Sequence, residues 1–221
     1  LLFEGVAGML VRADLDVRGS IVTNADTYFM FKGDLSLGGK LVGSAEELAE
    51  ALEQGGEIYL APFPEAERVQ VPPGDGFDWE SQYILTEPFT VSRNTRLIPL
   101  GRIGVFAQGG FTVESETTEV DGKSRLIGKT LTLDNGLFFA VQANSTVNGI
   151  LDVVNGSMLR VCQPDGAPAD AARVALTVYG DMSIGTGEDF AMLFIGGNAQ
   201  LNNGGTVQFY DNSSCIMEEN A

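Results

Sequence analysis

Residues 44–61 read SAEELAEALEQGGEIYLA and place a strong helix signal directly before a strand. Ser44 is a good N-cap, and Glu47 three residues later completes a capping box. The apolar residues recur at helical spacing, so they form one face of the helix: Leu48, Ala51 and Leu52. A glycine pair then ends the helix. The segment therefore predicts a helix over residues 44–55 whose apolar face lies against a flat hydrophobic surface.

Around this helix, most segments alternate apolar and polar residues in short runs, as β-strands do. Residues 131–161 contain an internal echo, VNGILDV followed by VNGSMLRV. Residues 15–41 and 176–207 each open with L-x-V-x-G and close with a leucine before a glycine pair. A ragged repeat of about 20 to 35 residues indicates the stacked coils of a β-solenoid. Alternation then assigns the inward positions of the third block: Leu131, Leu133, Leu151, Val153, Leu159 and Val161.

Asn-Gly pairs separate many of these runs, and both residues tolerate the left-handed backbone angles of tight corners. We predict such corners at four places: Asn135-Gly136, Asn148-Gly149, Asn155-Gly156 and Asn203-Gly204. A β-sandwich is the main alternative fold, because short strands with the same turn signals also build that architecture.

One acidic stretch, ESETTEVDGK at residues 114–123, predicts a β-hairpin that turns at Asp121-Gly122. Its carboxylates are interpreted as a solvated edge of the hairpin: Glu114, Glu116 and Glu119. No sequence feature of this stretch by itself indicates a binding site.

Residues 44–60 match the pattern S-x-E-E-L-x-x-A-L-x-x-G-G-x-I-x-L. This pattern resembles the start of right-handed parallel β-helix proteins of the pectate-lyase-like class, including bacterial surface proteins of the adhesin type. The resemblance implies an all-β fold in which the helix at 44–55 covers the open end of the coil, an edge that would otherwise be prone to aggregation. It places the β-helix domain at 44–221. The strand-rich segment 1–43 is then either the end of a preceding domain or an extra coil.

The 221-residue chain carries 30 acidic and 13 basic side chains, a net charge of −17. Such a surface repels nucleic acid and anionic membranes. It suits an extracellular or cell-surface protein or one that holds cations, and alternatively it serves only to keep the protein in solution. No stretch is apolar for long enough to span a membrane, so we expect no membrane insertion. The two cysteines, Cys162 and Cys215, form no C-x-x-C pair. The sequence is compatible either with one disulfide between them or with two free thiols. The chain has no histidine, which excludes Ser-His-Asp and Cys-His catalysis.

Residues 72–83, PPGDGFDWESQY, form the most aromatic and polar loop and contain the only tryptophan. Aromatic rings beside carboxylates suit sugar binding, since a ring covers the apolar face of a sugar and the carboxylate oxygens accept hydrogen bonds from its hydroxyl groups. The candidate glycan ligands are Trp79, Phe77, Tyr83, Asp75, Asp78 and Glu80. The three carboxylates also offer oxygen ligands for calcium, and we expect no other cofactor. Alternatively, the loop is a long insertion whose aromatic side chains pack back on the solenoid.

The sequence therefore favours a non-catalytic, adhesin-like or glycan-binding β-solenoid whose partner is a polysaccharide or another ligand of a host or cell surface. The resemblance keeps a polysaccharide lyase or glycoside hydrolase as an alternative, acting through carboxylates. The G-H-G turn of polygalacturonase relatives is absent, and residues 102–104 read R-I-G instead of R-I-K. A third candidate is a structural spacer of a larger surface protein.

Overall fold

The computed structural model describes residues 7–11, 15–17, 27–31, 35–37, 39–69, 79–120, 122–168, 170–186 and 189–219. The chain divides into two compact units, Leu1–Leu41 and Val42–Ala221. The sequence predicts a boundary between residues 43 and 44, two residues later. The role of the first segment, as a preceding domain or as an extra coil, stays a prediction.

The described residues of the first unit include four short strands that pair in parallel: β1 (Ala7–Val11), β2 (Leu15–Val17), β3 (Thr27–Phe31) and β4 (Leu35–Leu37). Strand β1 pairs with β3, and Ala7 lies opposite Thr27. Strand β2 pairs with β4, and Leu15 lies opposite Leu35. Both pairs are therefore offset by 20 residues along the chain. Parallel pairing at one fixed offset is the pattern of successive solenoid coils.

From residue 40 onward the described residues form one α-helix, a 3₁₀ turn (Glu65–Glu67) and many short strands. Their bounds are β5 (Lys40–Val42), α1 (Ala45–Gln54), β6 (Gly56–Leu60), β7 (Ser81–Leu85), β8 (Phe89–Val91), β9 (Thr95–Pro99), β10 (Ile103–Ala107), β11 (Phe111–Val113), β12 (Ser115–Val120), β13 (Lys123–Gly128), β14 (Thr130–Leu133), β15 (Phe138–Val141), β16 (Ser145–Val147), β17 (Ile150–Val153), β18 (Met158–Val161), β19 (Val174–Val178), β20 (Asp181–Ile184), β21 (Ala191–Ile195), β22 (Ala199–Asn203), β23 (Thr206–Phe209) and β24 (Ser213–Met217).

These strands build three parallel sheets that the chain visits in turn. Sheet 1 has the order β5-β6-β9-β14-β17-β20-β23, sheet 2 the order β7-β10-β15-β18-β21-β24, and sheet 3 the order β8-β11-β16-β19-β22. From β6 to β22 each coil thus gives one strand to each sheet, which is the architecture of a parallel β-helix and confirms the predicted solenoid. A β-sandwich would instead need packed antiparallel sheets. The hairpin β12–β13 is antiparallel and inserted between β11 and β14, so the hairpin prediction is also confirmed.

The core consists of inward side chains stacked in columns along the solenoid. In sheet 1, Leu97, Leu133 and Val153 lie in register on successive coils, and all three are fully buried. All six inward residues assigned by alternation are fully buried: Leu131, Leu133, Leu151, Val153, Leu159 and Val161. Complete burial of such a side chain stabilises the fold by roughly 1.5–3 kcal/mol. The stacked columns therefore supply the main driving force for the fold.

Helix α1 covers the first coil, as the resemblance implied. The Ser44 Oγ accepts a hydrogen bond from the backbone N–H of Glu47 at 3.2 Å. The Glu47 carboxylate accepts a hydrogen bond from the Gly43 N–H at 2.7 Å, so two backbone N–H groups at the start of the helix have side-chain acceptors. The apolar face of α1 is buried against β6, β7 and β8: Leu48, Ala51 and Leu52. Gly55 then ends the helix at a φ of 67°.

Two of the four Asn-Gly corners have the predicted left-handed geometry. Asn135 and Gly136 have φ values of 54° and 78°, and Asn155 and Gly156 have 51° and 82°. The pairs at residues 148–149 and 203–204 do not adopt positive φ, because their corner follows a different path, from sheet 3 to sheet 1. At this corner Gly149, and Gly205 beside the second pair, are needed for space, because a Cβ there would lie 2.2 and 1.9 Å from a carbonyl oxygen of the preceding coil. No helix among the described residues has both the length and the apolar character needed to cross a membrane.

Candidate functional site

The predicted glycan site is only partly covered by the described residues. Asp75, Phe77 and Asp78 lie outside them, so their role stays a prediction. The structure places Trp79 and Glu80 just before β7 and Tyr83 in the middle of that strand.

Tyr83 points into the solenoid and is fully buried. Its single hydroxyl hydrogen is shared between the carbonyl oxygen of Ala61, at 2.6 Å from the hydroxyl oxygen, and that of Val42, at 3.0 Å. Burial, with a smaller contribution from the negative charge of Glu47, raises the pKa of Tyr83 to about 12. This side chain therefore ties the cap region to the first coil and does not face a ligand.

Trp79 lies on the outer face of sheet 2. Its ring stacks on Phe138, with ring centroids 4.2 Å apart, and meets Phe106 edge-on at 5.7 Å. It also covers Gly104, where an added Cβ would lie 3.2 Å from Trp79 Cγ. Trp79 thus packs on the outside of sheet 2, whereas Tyr83 lies inside the solenoid.

Glu80 forms ion pairs with two arginines and lies away from the buried side chain of Tyr83. Its carboxylate pairs with Arg102 and, at 3.4 Å, with Arg68. The described members of the predicted site therefore face different directions: one inward, one onto sheet 2 and one into an ion-pair network.

A second group of residues, which no sequence motif brings together, forms an open groove; two of its members, Glu114 and Asn148, are predicted from sequence only as a hairpin edge and a corner. The groove has a volume of about 390 Å³ and lies at the base of the β12–β13 hairpin, beside the outer face of sheet 3. We call it the hairpin groove, and its lining residues are Thr112, Glu114, Ser115, Leu126, Asn148 and Tyr179.

The floor of the hairpin groove belongs to a column of outward side chains on sheet 3. Strands β8, β11 and β16 read FTV, FTV and STV, so the central threonine of each faces outward while its neighbours face the core. The register continues this column through the later coils: Thr90, Thr112, Thr146, Thr177 and Asn202. We call it the hydroxyl column. Adjacent members are about 4.8 Å apart, the spacing of neighbouring strands.

The wall of the groove is a second column, at the corner that follows sheet 3. Glu114, Asn148 and Tyr179 occupy the same corner position on three successive coils. Their backbone N–H groups donate to Val91, Val113 and Val147 carbonyl oxygens at 3.0, 2.8 and 2.8 Å. Because each corner is hydrogen-bonded to the coil before it, these side chains project from a rigid backbone.

Tyr179 gives the groove an accessible aromatic ring, with 62% of the residue exposed. The ring lies over the corner of the next coil, since a Cβ added at Gly204 would be 3.1 Å from Tyr179 Cδ1. Asn148 adds an amide, Glu114 a carboxylate, and Thr112 a hydroxyl. This set can stack on an apolar ring and hydrogen-bond to polar groups at its rim.

The most buried carboxylate elsewhere in the described solenoid has a structural role. Asp134 is 4% exposed and accepts hydrogen bonds from Arg96 Nε at 2.7 Å, the Asn135 N–H at 2.8 Å and Asn155 Nδ2 at 2.6 Å. It therefore fixes the Asn-Gly corners between sheets 1 and 2.

Cys162 and Cys215 are both free thiols, which resolves the alternative left open by the sequence. Burial raises the pKa of both thiols, so neither is activated as a nucleophile. Among the described residues, no group of three or more cysteine, aspartate or glutamate side chains comes together as a metal site.

Comparison of this chain with protein-family models, with curated proteins and with solved structures found no match. The chemistry of the hairpin groove is therefore inferred from its own residues.

Proposed function

We propose that this protein is a non-catalytic, extracellular or cell-surface β-solenoid of adhesin-like character that binds carbohydrate in the hairpin groove. The observation that carries the proposal is the exposed Tyr179 ring beside the Asn148, Glu114 and Thr112 side chains. An aromatic ring with hydrogen-bonding groups around it matches a sugar, which has an apolar face and a rim of hydroxyls.

The regular backbone supports this proposal. A rigid solenoid loses little conformational entropy on binding, so weak contacts with a sugar are not offset by the ordering of a loop. The resemblance of residues 44–60 to pectate-lyase-like β-helix proteins and the net charge of −17 also favour an extracellular setting.

A carboxylate-dependent glycoside hydrolase is the second candidate. Hydrolysis of this kind uses two carboxyl groups on either side of the bond that is cut. The hairpin groove has one carboxylate among its six lining residues, Glu114. Binding is therefore the function that the groove supports best, and catalysis becomes an outcome to be tested.

The test is to incubate the protein with a panel of immobilised plant, host and microbial polysaccharides, with and without calcium. Retained protein and newly formed chain ends are recorded in the same samples. We expect retention on at least one polymer without new chain ends. New chain ends would establish the hydrolase or lyase instead, and the absence of both signals would leave the structural spacer as the better description.

A further inference from the structure

The charges around the hairpin groove restrict the class of sugar that it can take. None of its six lining residues has a positively charged side chain, and Glu114 is negative. Proteins bind the carboxylate or sulfate groups of acidic polysaccharides with arginine or lysine, because those groups need charge-assisted hydrogen bonds once water is displaced.

The outward strand residues that continue from the groove along sheet 3 are also uncharged. The hydroxyl column offers four threonines and one asparagine along sheet 3. Strands β19 and β22 add only Ala175 and Gln200 as further outward residues. Hydroxyl and amide groups can exchange hydrogen bonds with sugar hydroxyls, but they cannot neutralise an acidic sugar.

The cations nearest in the sequence do not reverse this pattern. Lys129 Nζ pairs with Glu116 at 2.8 Å, so its charge is already matched. Lys123 and Arg125 lie on β13 of the hairpin, are exposed, and are not part of the groove lining. The net charge of the chain, −17, adds a long-range repulsion of anions at low ionic strength.

We infer that the hairpin groove selects uncharged polysaccharides and discriminates against anionic ones such as uronate or sulfated polymers, with Glu114 as the residue that sets this preference. The inference rests on the proposed carbohydrate binding and names its ligand class. As a consequence, acidic pectin-type polymers should not be among the preferred ligands of this protein.

The experiment compares each neutral polysaccharide of a panel with the carboxymethylated form of the same polymer, by affinity electrophoresis of the wild-type protein at low and high salt. We expect retention by the carboxymethylated form to be weaker by about tenfold or more at low salt. The difference should shrink at high salt, because salt screens exposed charges. Equal or stronger retention by the carboxymethylated polymer at low salt would overturn the inference while leaving carbohydrate binding in place. Failure to retain any polymer would overturn the proposed function itself.

Two variants separate the groove from the overall charge. Glu114→Gln removes the negative charge in the groove. It should reduce the ratio of retention by the neutral polymer to retention by its carboxymethylated form several-fold. Glu119→Gln makes the same change of net charge on β12, outside the groove lining. This control should leave the ratio close to the wild-type value. An equal effect of both variants would assign the discrimination to net charge and contradict selection by the groove.

Discussion

Among single residues, Tyr179 has the clearest functional geometry. Its ring is exposed, while its backbone N–H is bonded to Val147 of the preceding coil at 2.8 Å. The side chain therefore offers an apolar surface at a fixed position. Large aromatic rings in such positions are frequent energetic centres of binding sites.

Replacement of Tyr179 by alanine should weaken retention on the bound polysaccharide by about tenfold or more, which corresponds to roughly 1.4 kcal/mol. The melting temperature should stay near the wild-type value, because the ring packs only over a corner. Tyr210→Ala is the matched control, since Tyr210 is 40% exposed and lies outside the groove. Equal losses in both variants, measured by affinity electrophoresis, would argue against the groove.

Tyr83 shows the opposite case, an aromatic residue with a structural role. In the folded state its pKa is about 12, against a usual value of 10.0. The folded protein thus holds this proton more tightly than the unfolded chain does. The resulting stabilisation is fully present below pH 10 and is lost as the pH rises from about 10 to about 12.

The prediction for Tyr83 is a late step in an alkaline absorbance titration, with one of the five tyrosines ionising near pH 12. Tyr83→Phe should remove that step and flatten the fall in stability between pH 10 and 12. The variant should also lose about 1–3 kcal/mol at neutral pH, because the Ala61 carbonyl oxygen loses the hydroxyl donor, whereas the Val42 carbonyl oxygen still accepts from the Ala61 N–H. A titration in which the late step survives in Tyr83→Phe would refute this assignment.

At the scale of structural elements, the corner from sheet 3 to sheet 1 depends on stacked glycines. A Cβ at Gly149 would lie 2.2 Å from the Lys129 carbonyl oxygen. Cβ atoms at Gly180 and Gly205 would each lie 1.9 Å from the carbonyl oxygen of the glycine one coil earlier. Only glycine therefore lets adjacent coils approach at this corner, and this contact replaces the left-handed geometry expected from the Asn-Gly pairs.

Gly180→Ala should destabilise the protein by about 1–3 kcal/mol, since the new methyl group forces two coils apart. Gly101→Ala is the control, because its Cβ would meet Pro62 Cβ at an ordinary 3.5 Å. Chemical denaturation of the two variants measures the difference. Comparable stability of both variants would show that the corner tolerates a side chain.

Helix α1 acts as a cap whose stability depends on its buried face. Leu48→Ala should lower the free energy of unfolding by about 2–5 kcal/mol, the usual range for a leucine in a packed core. Leu100→Ala, at a residue that is 47% exposed, should change it by less than about 0.5 kcal/mol. If denaturation shows the same small effect for both, the helix does not cover the core.

The helix and the core could be predicted from sequence because both depend on local patterns. The capping residues and the helical spacing of residues 44–55 can be recognised within a few consecutive residues. Alternation likewise separates inward from outward residues within a single strand. The hairpin groove could not be predicted in this way. Glu114, Asn148 and Tyr179 come together only through the register of three coils, and the repeated FTV and STV triplets were the one available signal.

At the scale of the whole solenoid, the three outer faces differ in chemistry. Sheet 1 presents charged and polar residues, such as Glu57, Arg96 and Asp152. Sheet 2 presents apolar residues, such as Phe106 and Phe194, while sheet 3 presents the hydroxyl column. An uncharged, regular face on a strongly acidic protein is the surface best suited to an uncharged ligand.

Irregular coil lengths conceal these faces in the sequence. The register offset is 20 residues between β14 and β17, where Leu131 pairs with Leu151, but 31 residues between β17 and β20, where Leu151 pairs with Met182. Loops and the hairpin are inserted at corners, so the outward columns do not recur at a fixed period. The fold class followed from local alternation, whereas the columns required the three-dimensional register.

Hydrogen–deuterium exchange of the wild-type protein, with and without a soluble neutral polysaccharide from the retained set, tests the central claim most directly. The account predicts slower exchange in peptides that cover residues 111–128, 145–150 and 176–181, which surround the hairpin groove. Protection confined to residues 70–85 would place the ligand at the Trp79 loop instead and contradict the assignment of the groove.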